Sequence, residues 1–405
     1  MISSRSEENS VLTAIELFAG IGGFRIAADN AGLKTIWAND IDPLASLVYT
    51  TNFGSSEFHQ GDIRELFENI PPHDVLTGGF PCQPFSAAGK KQGIRDPRGT
   101  LFQVIVDILK KHSPDYFVLE NVKRLLTMEN GSHFATILYS LSELDYRLEW
   151  RLLNSWNFGL PQNRQRVFIT GIHKRKASKI SPVQTFLSST ADFSPVDPSF
   201  FWGLSDREHW PLIANHQKAF PYWGTAIEGR FFSGEPSNFS EAKPRVKLAE
   251  VLEPEVDSSF DFTEKTLEWI DKNTIVNRFV DGVEILSNQR GGARMGYTIF
   301  GINGVAPTLT STASRHYERY KIGDRYRRLT NVEYARIQGF PVDHCNATTV
   351  YNQYALFGNA VPPQMASWVL SSVVQSLPKT IEEPRSLFTG AMCAQQGTFE
   401  TLGSG

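Results

Sequence analysis

Short apolar runs alternate with helical patterns along the first 175 residues of this 405-residue chain. Strands are predicted at 13–18, 34–38, 56–59, 74–77, 116–119, 147–153 and 166–171, and helices between them, as at 23–31, 43–50 and 100–111. Such alternation is typical of a mostly parallel sheet covered on both faces by helices. The sequence therefore predicts a doubly wound α/β fold.

The pattern changes between about residue 180 and residue 325. Pro, Ser, Trp and Phe become frequent and periodicity fades, which favours a second, smaller and loop-rich domain. Helical patterns return at 330–338 and 362–374. We therefore expect residues 1–180, completed by 342–378, to form the first domain, 181–341 to form the second, and 379–405 to be a mobile tail.

Composition excludes several classes of protein. The three cysteines are too widely spaced for a disulfide framework or a clustered zinc site, so no metal is expected. The N-terminal residues lack the apolar core of a signal peptide, and no long apolar run follows. We expect a soluble protein of a reducing cytoplasm that does not enter a membrane.

Charge is unevenly distributed along the chain. The net charge of −3 argues against a uniformly basic nucleic-acid-binding protein. Residues 271–340, however, hold 11 basic and 6 acidic side chains, which leaves this segment at +5. A local basic face is sufficient for contacts with phosphates, although an ordinary solvated surface has the same composition.

A glycine-rich turn at 20–23 follows the first predicted strand and opens a helix. Glycines there allow a ligand to approach the backbone at the carboxyl edge of a parallel sheet. Arg25 stands where the dinucleotide fingerprint has its third glycine, which disfavours a pyrophosphate cradle. Asp40 and Asp62 follow the next two strands. This arrangement indicates a nucleoside cofactor without a pyrophosphate, with a helix cap and two surface acids as the alternative.

Four further residues have the chemistry of a reaction centre. Cys82 stands between two prolines just after Gly78-Gly79, so we expect a stiff loop that presents the thiol. Glu120 follows the predicted strand 116–119 and should reach the same sheet edge. Arg164 and Arg166 are two residues apart, so an extended chain directs both to one face. Each has an ordinary alternative: a buried structural cysteine, a surface acid and a salt-bridged strand.

Taken together and in this order, several segments resemble the cytosine-5 methyltransferase family. They are ELFAGIGGFRIA (16–27), NDID (39–42), GDI (61–63), GGFPCQPFSAAGK (78–90), RGTLF (98–102), ENV (120–122), PQNRQRVF (161–168), RRLTNVEYARIQGFP (327–341) and YALFGNAVPPQMA (354–366). Residues 180–290 carry no recognisable pattern. The resemblance implies methyl transfer from S-adenosylmethionine to C5 of a cytosine in a specific double-stranded DNA sequence.

The resemblance also implies a role for each candidate catalytic residue. The Cys82 thiolate adds to C6 of the cytosine, which makes C5 nucleophilic. Glu120 binds N3 and the exocyclic amine, Arg164 meets O2, and Arg166 supports the site. Because C6 is inaccessible within a stacked duplex, the base is expected to be flipped out.

The cofactor residues follow from the same resemblance. Phe18 stacks on the adenine, Asp40 holds the ribose and Asp62 the adenine amine. The other expected cofactor residues are Gly20, Gly22, Gly23, Ile41, Ile63, Pro81, Leu101 and Asn359. Residues 86–98, which contain two glycines and two adjacent lysines, suit a lid that closes over DNA.

Three other functions are disfavoured by particular features of the sequence. The related transfer-RNA methyltransferases have a Cys-Phe-Thr signature, which neither Cys345 nor Cys393 provides. A non-catalytic DNA-binding homologue is disfavoured by the presence of Cys82, Glu120 and both arginines. A nicotinamide oxidoreductase lacks its third glycine. The family habit implies a monomeric prokaryotic enzyme at the nucleoid, paired functionally with a restriction endonuclease without a stable complex. Its target sequence should be read by 180–325.

Overall fold

A computed structural model describes residues 11–81, 100–177, 187, 202–206, 220–234, 242–289, 298–310 and 318–375, and the backbone of 86–91 and 94–96. Cys82, Cys393, the tail 379–405 and part of the expected lid lie outside the described residues.

Strands and helices alternate through the first part of the chain. The strands are β1 (Thr13–Leu17), β2 (Lys34–Asp40), β3 (Phe58–Gln60), β4 (Val75–Gly79), β5 (Ser86–Lys91), β6 (Ile94–Asp96), β7 (Tyr116–Val122), β8 (Tyr146–Asn154), β9 (Gln165–His173), β10 (Trp202–Gly203), β11 (Trp223–Ile227), β12 (Arg230–Gly234), β13 (Thr274–Val280), β14 (Val283–Asn288), β15 (Thr298–Phe300), β16 (Arg319–Ile322) and β17 (Arg325–Arg327). The helices are α1 (Gly23–Asn30), α2 (Pro43–Phe53), α3 (Ile63–Leu66), α4 (Leu101–His112), α5 (Ser132–Ser142), α6 (Lys174–Ala177), α7 (Glu264–Ile270), α8 (Asn331–Gln338), α9 (Val350–Asn359) and α10 (Pro363–Val374). None of these helices has the length and apolar character needed to cross a bilayer.

The large sheet has ten strands in the order β10-β12-β11-β8-β9-β7-β4-β1-β2-β3. Its five strands from β7 to β3 are parallel, which confirms the predicted parallel α/β core. β8 and β9, predicted as part of the same alternation, instead pair with each other in antiparallel orientation, and β9 also pairs antiparallel with β7. The connection 155–164 explains this orientation, because a parallel crossover needs about a dozen residues or more.

Helices cover both faces of the sheet. Side chains on one face pack with α4 and α5, and include Leu76 and Phe117. Their neighbours Val75 and Val118 point to the opposite face and pack with α1 and α10. Because successive side chains of a strand alternate between faces, continuous apolar runs such as 116–119 have to be buried on both sides.

The sheet does not end near residue 180. Strands β10, β11 and β12 continue it through antiparallel pairing of β11 with β8. A separate five-stranded sheet, β13-β14-β15-β16-β17, follows. Its buried residues share one apolar cluster with α8 and α9 and with Ala45 and Val48 of α2. The recognition domain expected at 181–341 therefore contributes both to the large sheet and to this second sheet, and its boundaries remain a proposal.

The end of the described chain returns to the first sheet. Helix α10 places Met365, Val369 and Leu370 in the cluster that contains Ala14 of β1, as its apolar pattern predicts. Just before α10, the carbonyl oxygen of Val361 lies so close to Gly23 that an added Cβ would overlap it. Glycine at position 23 thus permits the close approach of α1 to the returning segment.

We expect Gly23→Ala to destabilise the protein by about 1–3 kcal/mol, as overpacked sites do. The sign of the stability change is informative. Helix propensity alone would make the alanine variant more stable, because alanine is about 1 kcal/mol more favourable than glycine inside a helix. Urea denaturation followed by circular dichroism measures the change. A variant as stable as the parent would show that the contact between Gly23 and Val361 is not tight.

Candidate active site

A cavity of about 660 Å³ opens at the carboxyl ends of β1, β2, β4 and β7. Thirteen of the fifteen residues predicted from the sequence line it: Phe18, Gly20, Gly23, Asp40, Ile41, Asp62, Ile63, Pro81, Leu101, Glu120, Arg164, Arg166 and Asn359. Gly22 is not among the lining residues, and Cys82 lies outside the described residues directly after Pro81. Ten of the eleven expected cofactor residues and three of the four expected catalytic residues therefore share one cavity.

The turn after β1 has an unusual backbone. Phe18 has φ 54°, and Gly20 and Gly22 have φ 55° and 87°. Positive φ is costly for an aromatic residue, so the surrounding structure must hold Phe18 in this conformation. A Cβ at Gly22 would overlap the ring of Phe53. Gly22 thus lies against the Phe53 ring and does not line the cavity.

Asp40 is the last residue of β2, and its carboxylate is fixed by the backbone around it. The amide of Gly20 donates to Oδ2 at 2.7 Å and the amide of Asp42 donates to Oδ1 at 2.9 Å. Burial raises the pKa of Asp40, whereas these two hydrogen bonds oppose the shift. Each oxygen keeps a lone pair, so the carboxylate can accept hydrogen bonds from a ligand.

Asp62 combines a cofactor position with an ordinary local role. Its side chain caps α3 by accepting from the amide of Arg64 at 2.9 Å, and it forms an ion pair with the Arg64 guanidinium. This guanidinium holds the pKa of Asp62 below its usual range. Asp62 therefore caps a helix and also lines the cavity.

Glu120 and Arg166 form the buried charged part of the site. Glu120 lies inside β7 rather than after it, and β7 pairs in register with β9, which carries Arg166. Arg166 Nε lies 2.8 Å from Glu120 Oε1, with both side chains about nine-tenths buried. Burial raises the pKa of Glu120, and the charges of Arg166 and Arg164 oppose that shift. The carboxyl therefore holds a proton more readily than an exposed glutamate does.

Gly79 supplies the space beside this pair. The strand predicted at 74–77 extends through Gly78 and Gly79 as β4. A Cβ at Gly79 would lie 3.2 Å from Glu120 Oε2, so a larger residue would crowd the carboxylate.

Arg164 is almost completely buried, with 1% exposure, just before β9. Its two terminal nitrogens donate to main-chain oxygens of Leu309 at 3.3 Å and of Ala360 at 2.9 Å. Among the described residues, its Nε has no hydrogen-bond partner. A buried donor without a partner is costly, so this group is suited to a ligand that accepts a hydrogen bond.

Three buried polar residues of the cavity were not assigned from the sequence. Glu16 accepts a hydrogen bond from Tyr49 Oη at 3.2 Å, and burial raises its pKa to about 8. Asn39 donates to the carbonyls of His59 and Gly61 and thereby holds the turn before Asp62. Asn121 donates to the carbonyl of Phe80 at 2.9 Å and anchors the start of the Cys82 loop. Each of the three is a polar residue in a mostly apolar strand, and this was the sequence signal that could have identified it.

The cavity thus has two chemically different parts. One part offers an aromatic ring, a glycine turn and carboxylates at the ends of β2 and β3. The other offers a buried carboxyl with two arginines, and Pro81, which directly precedes Cys82 in the sequence, lines the same cavity. Such a site can hold a nucleoside-type ligand next to a planar polar ring that presents both hydrogen-bond donors and acceptors.

The chain matches a known protein family over most of its length. Residues 12–375 match the family model described as C-5 cytosine-specific DNA methylase. The chain is 32% identical to the type II methyltransferase M1.ScrFI of Lactococcus lactis subsp. cremoris, over 90% of this chain and 79% of that protein. It is 31% identical to the type II methyltransferase M.BanI of Aneurinibacillus aneurinilyticus, over 89% of this chain and 95% of that protein.

A solved structure has the same fold. The crystal structure of S. pombe Dnmt2 methyltransferase is 21% identical and has a TM-score of 0.56, over 90% of this chain and 99% of that chain. This likeness supports the α/β architecture alone.

Proposed function

Because the chain belongs to the C-5 cytosine-specific DNA methylase family and is a DNA cytosine-5-methyltransferase of the type II restriction-modification kind, we propose that it methylates a flipped-out cytosine with S-adenosylmethionine. The observation that carries the proposal is the single cavity lined by Phe18 and Asp40 on one side and by Glu120 and both arginines on the other.

The described residues fit an S-adenosyl ligand. The Phe18 ring is available for stacking on adenine, and the Asp40 oxygens, which two backbone amides hold in place, are available to ribose hydroxyls. Asp62 is available for the adenine amine, and Leu101 and Asn359 line the same cavity. When bound, S-adenosylmethionine supplies an electrophilic methyl group.

The charged part of the cavity fits the edge of a cytosine. Glu120 is the group for N3 and the exocyclic amine, since its raised pKa favours sharing a proton with N3. Arg166 fixes the orientation of Glu120 through their ion pair. Arg164 is the candidate partner for O2, because its Nε is the donor without a partner among the described residues.

Cys82 supplies the nucleophile in this proposal. Its thiolate forms a bond to C6, and the displaced electron pair reaches C5 and the ring nitrogen N3, which Glu120 protonates. C5 then takes the methyl group, which leaves S-adenosylhomocysteine, and N3 returns its proton to Glu120. Removal of the C5 proton by a base returns electrons to the ring and breaks the bond between sulfur and C6. Arg164 and Arg166 favour the thiolate through their positive charge.

Target recognition is proposed for residues 181–341, with 86–98 closing over the DNA. The basic segment 271–340 supports contacts with phosphates, at a net charge of +5. The protein is further proposed to be a monomeric cytoplasmic enzyme of a prokaryote. Its methylation would protect nucleoid DNA from a restriction endonuclease that it does not stably bind.

Bisulfite sequencing of DNA from cells that express the protein tests this function. We expect one short sequence to contain a cytosine protected from conversion at nearly every copy. Purified protein should transfer tritiated methyl groups from S-adenosylmethionine to a duplex with that sequence. Transfer to RNA with none to DNA would contradict the proposal.

A further inference from the structure

Two buried glutamines connect distant parts of the cavity wall. Gln162 and Gln338 have 0% exposure and belong neither to the expected cofactor residues nor to the catalytic ones. Gln162 precedes Arg164 by two residues, and Gln338 ends α8. Buried amide groups persist only when their hydrogen bonds are made, so their partners indicate what they hold in place.

The hydrogen bonds of these glutamines run in one direction. The amide of Leu309 donates to Gln162 Oε1 at 3.0 Å, and Gln162 Nε2 donates to Gln338 Oε1 at 2.9 Å. Gln338 Nε2 in turn donates to the carbonyl oxygen of Phe357. Since a backbone N–H only donates and a carbonyl only accepts, both ends of the chain dictate the orientation of both amides.

A second connection joins the same two places through Arg164. Its terminal nitrogens donate to the carbonyl of Leu309, where the first chain begins, and to the carbonyl of Ala360. Phe357 and Ala360 stand on either side of Asn359, which lines the cavity. The two connections form a ring, called here the Leu309–Asn359 ring: Leu309, Gln162, Gln338, Phe357–Ala360 and Arg164.

The ring joins the proposed DNA-recognition region to the cofactor end of the cavity. Leu309 follows β15 and belongs to the segment 298–310. This segment is hydrogen-bonded to the residues that directly precede β9. The amide of Asn163 donates to the carbonyl of Ala306 at 2.8 Å, and Thr308 Oγ1 donates to the carbonyl of Asn163 at 2.6 Å. A shift of 306–309 on binding DNA would therefore move both flanks of Asn359.

We propose that Gln162 and Gln338 are positioning residues that couple the binding of target DNA to the binding of the S-adenosyl ligand through the Leu309–Asn359 ring, an inference that rests on the proposed function. A buried hydrogen-bonded network transmits displacement, because losing any one of its bonds leaves a costly unpaired group. The coupling is reciprocal, so each ligand tightens the other by the same factor.

The test compares the affinity for S-adenosylhomocysteine of the free protein with that of the protein saturated with its target duplex, by calorimetry. For the wild type we expect DNA to tighten binding about 5-fold or more. Gln338→Glu removes the donor to Phe357 in nearly the same shape, and should reduce this factor to about 2-fold or less. Gln338→Met, which introduces no charge, gives the same readout if the buried carboxylate prevents folding.

Gln353→Glu is the matched control. Gln353 is a buried glutamine on α9, the helix that carries Asn359, but its Oε1 accepts from Asn331 at 2.8 Å and its Nε2 donates to the carbonyl of Thr348 at 3.2 Å, outside the ring. It should keep the wild-type coupling factor, whatever its melting temperature.

Three outcomes would overturn the coupling. An active wild type could bind S-adenosylhomocysteine equally well with and without target DNA, the Gln338 variants could keep the wild-type coupling factor, or Gln353→Glu could lose as much of that factor as they do. A wild type that methylates no DNA would instead overturn the proposed function and, with it, the premise of the inference.

Discussion

Replacing Cys82 by alanine is expected to lower methyl transfer by a factor on the order of 10⁴ or more, because no other group takes over the covalent addition to C6. Binding of DNA and of S-adenosylhomocysteine should persist, since the thiol is assigned to chemistry rather than to packing. A tritiated-methyl assay and calorimetry measure the two properties separately. Substantial turnover by the variant would contradict the covalent mechanism.

Cys345→Ala is the control for the same substitution at a structural cysteine. Cys345 is free and fully buried in the apolar cluster around α8 and α9. Burial raises its pKa to about 12, so at neutral pH it is a thiol and a poor nucleophile. We expect this variant to lose stability but to keep methylation.

A mechanism-based trap distinguishes the cysteines directly. With 5-fluorocytosine at the target position, no C5 proton is available for removal, so the covalent adduct should accumulate. Mass spectrometry should locate it on Cys82 in the wild type and in Cys345→Ala. An adduct on Cys345 or Cys393 would show that the assignment of the nucleophile to Cys82 is wrong.

Glu120→Gln is expected to lower the single-turnover rate by about 10²–10⁴-fold, the usual contribution of a general acid. The amide keeps the shape of the side chain but cannot protonate N3. It also removes the charge that compensates Arg166, whose Nε lies 2.8 Å from the Glu120 carboxylate. Affinity for S-adenosylhomocysteine should change little, because Glu120 is assigned to the base.

Glu149→Gln controls for the loss of a buried carboxylate. Glu149 has 2% exposure on β8, accepts from Trp223 Nε1 at 2.8 Å and does not line the cavity. The Glu149→Gln variant should have a lower melting temperature and a nearly unchanged single-turnover rate of methyl transfer. If Glu120→Gln kept the wild-type rate, or Glu149→Gln lost as much, the assignment of Glu120 would be wrong.

Local pattern was sufficient for the elements of the first sheet. The seven predicted strands and the helices at 23–31, 43–50 and 100–111 are all present with small shifts at their ends. Strand and helix periodicity are properties of neighbouring residues, so they can be read without knowing the fold. The glycine turn at 20–23 was visible for the same reason, since positive φ at Gly20 and Gly22 restricts the residue type locally.

The order of motifs also predicted which residues would meet. Asp40 and Asn359 are far apart in the chain, yet both line one cavity. That prediction came from the family resemblance rather than from periodicity, because no local pattern relates the two positions.

Only the tertiary structure decided how segments pair across long distances. β11, which belongs to the expected second domain 181–341, joins the large sheet beside β8. Likewise, Arg164 donates to the distant carbonyls of Leu309 and Ala360, and Arg166 of β9 forms an ion pair with Glu120 of β7. Hydrogen bonds between distant backbones depend on which surfaces come together in the folded chain.

The sequence by itself therefore determined the parallel α/β core, the family and thirteen residues of the cavity, whereas Glu16, Asn39 and Asn121 were not assigned from it. The tertiary structure determined the antiparallel extension of the sheet, the ion pair of Glu120 with Arg166 and the Leu309–Asn359 ring. The physical reason is that side-chain periodicity and turn chemistry act over a few residues, whereas the partners of a buried polar group are set by the packing of the whole molecule.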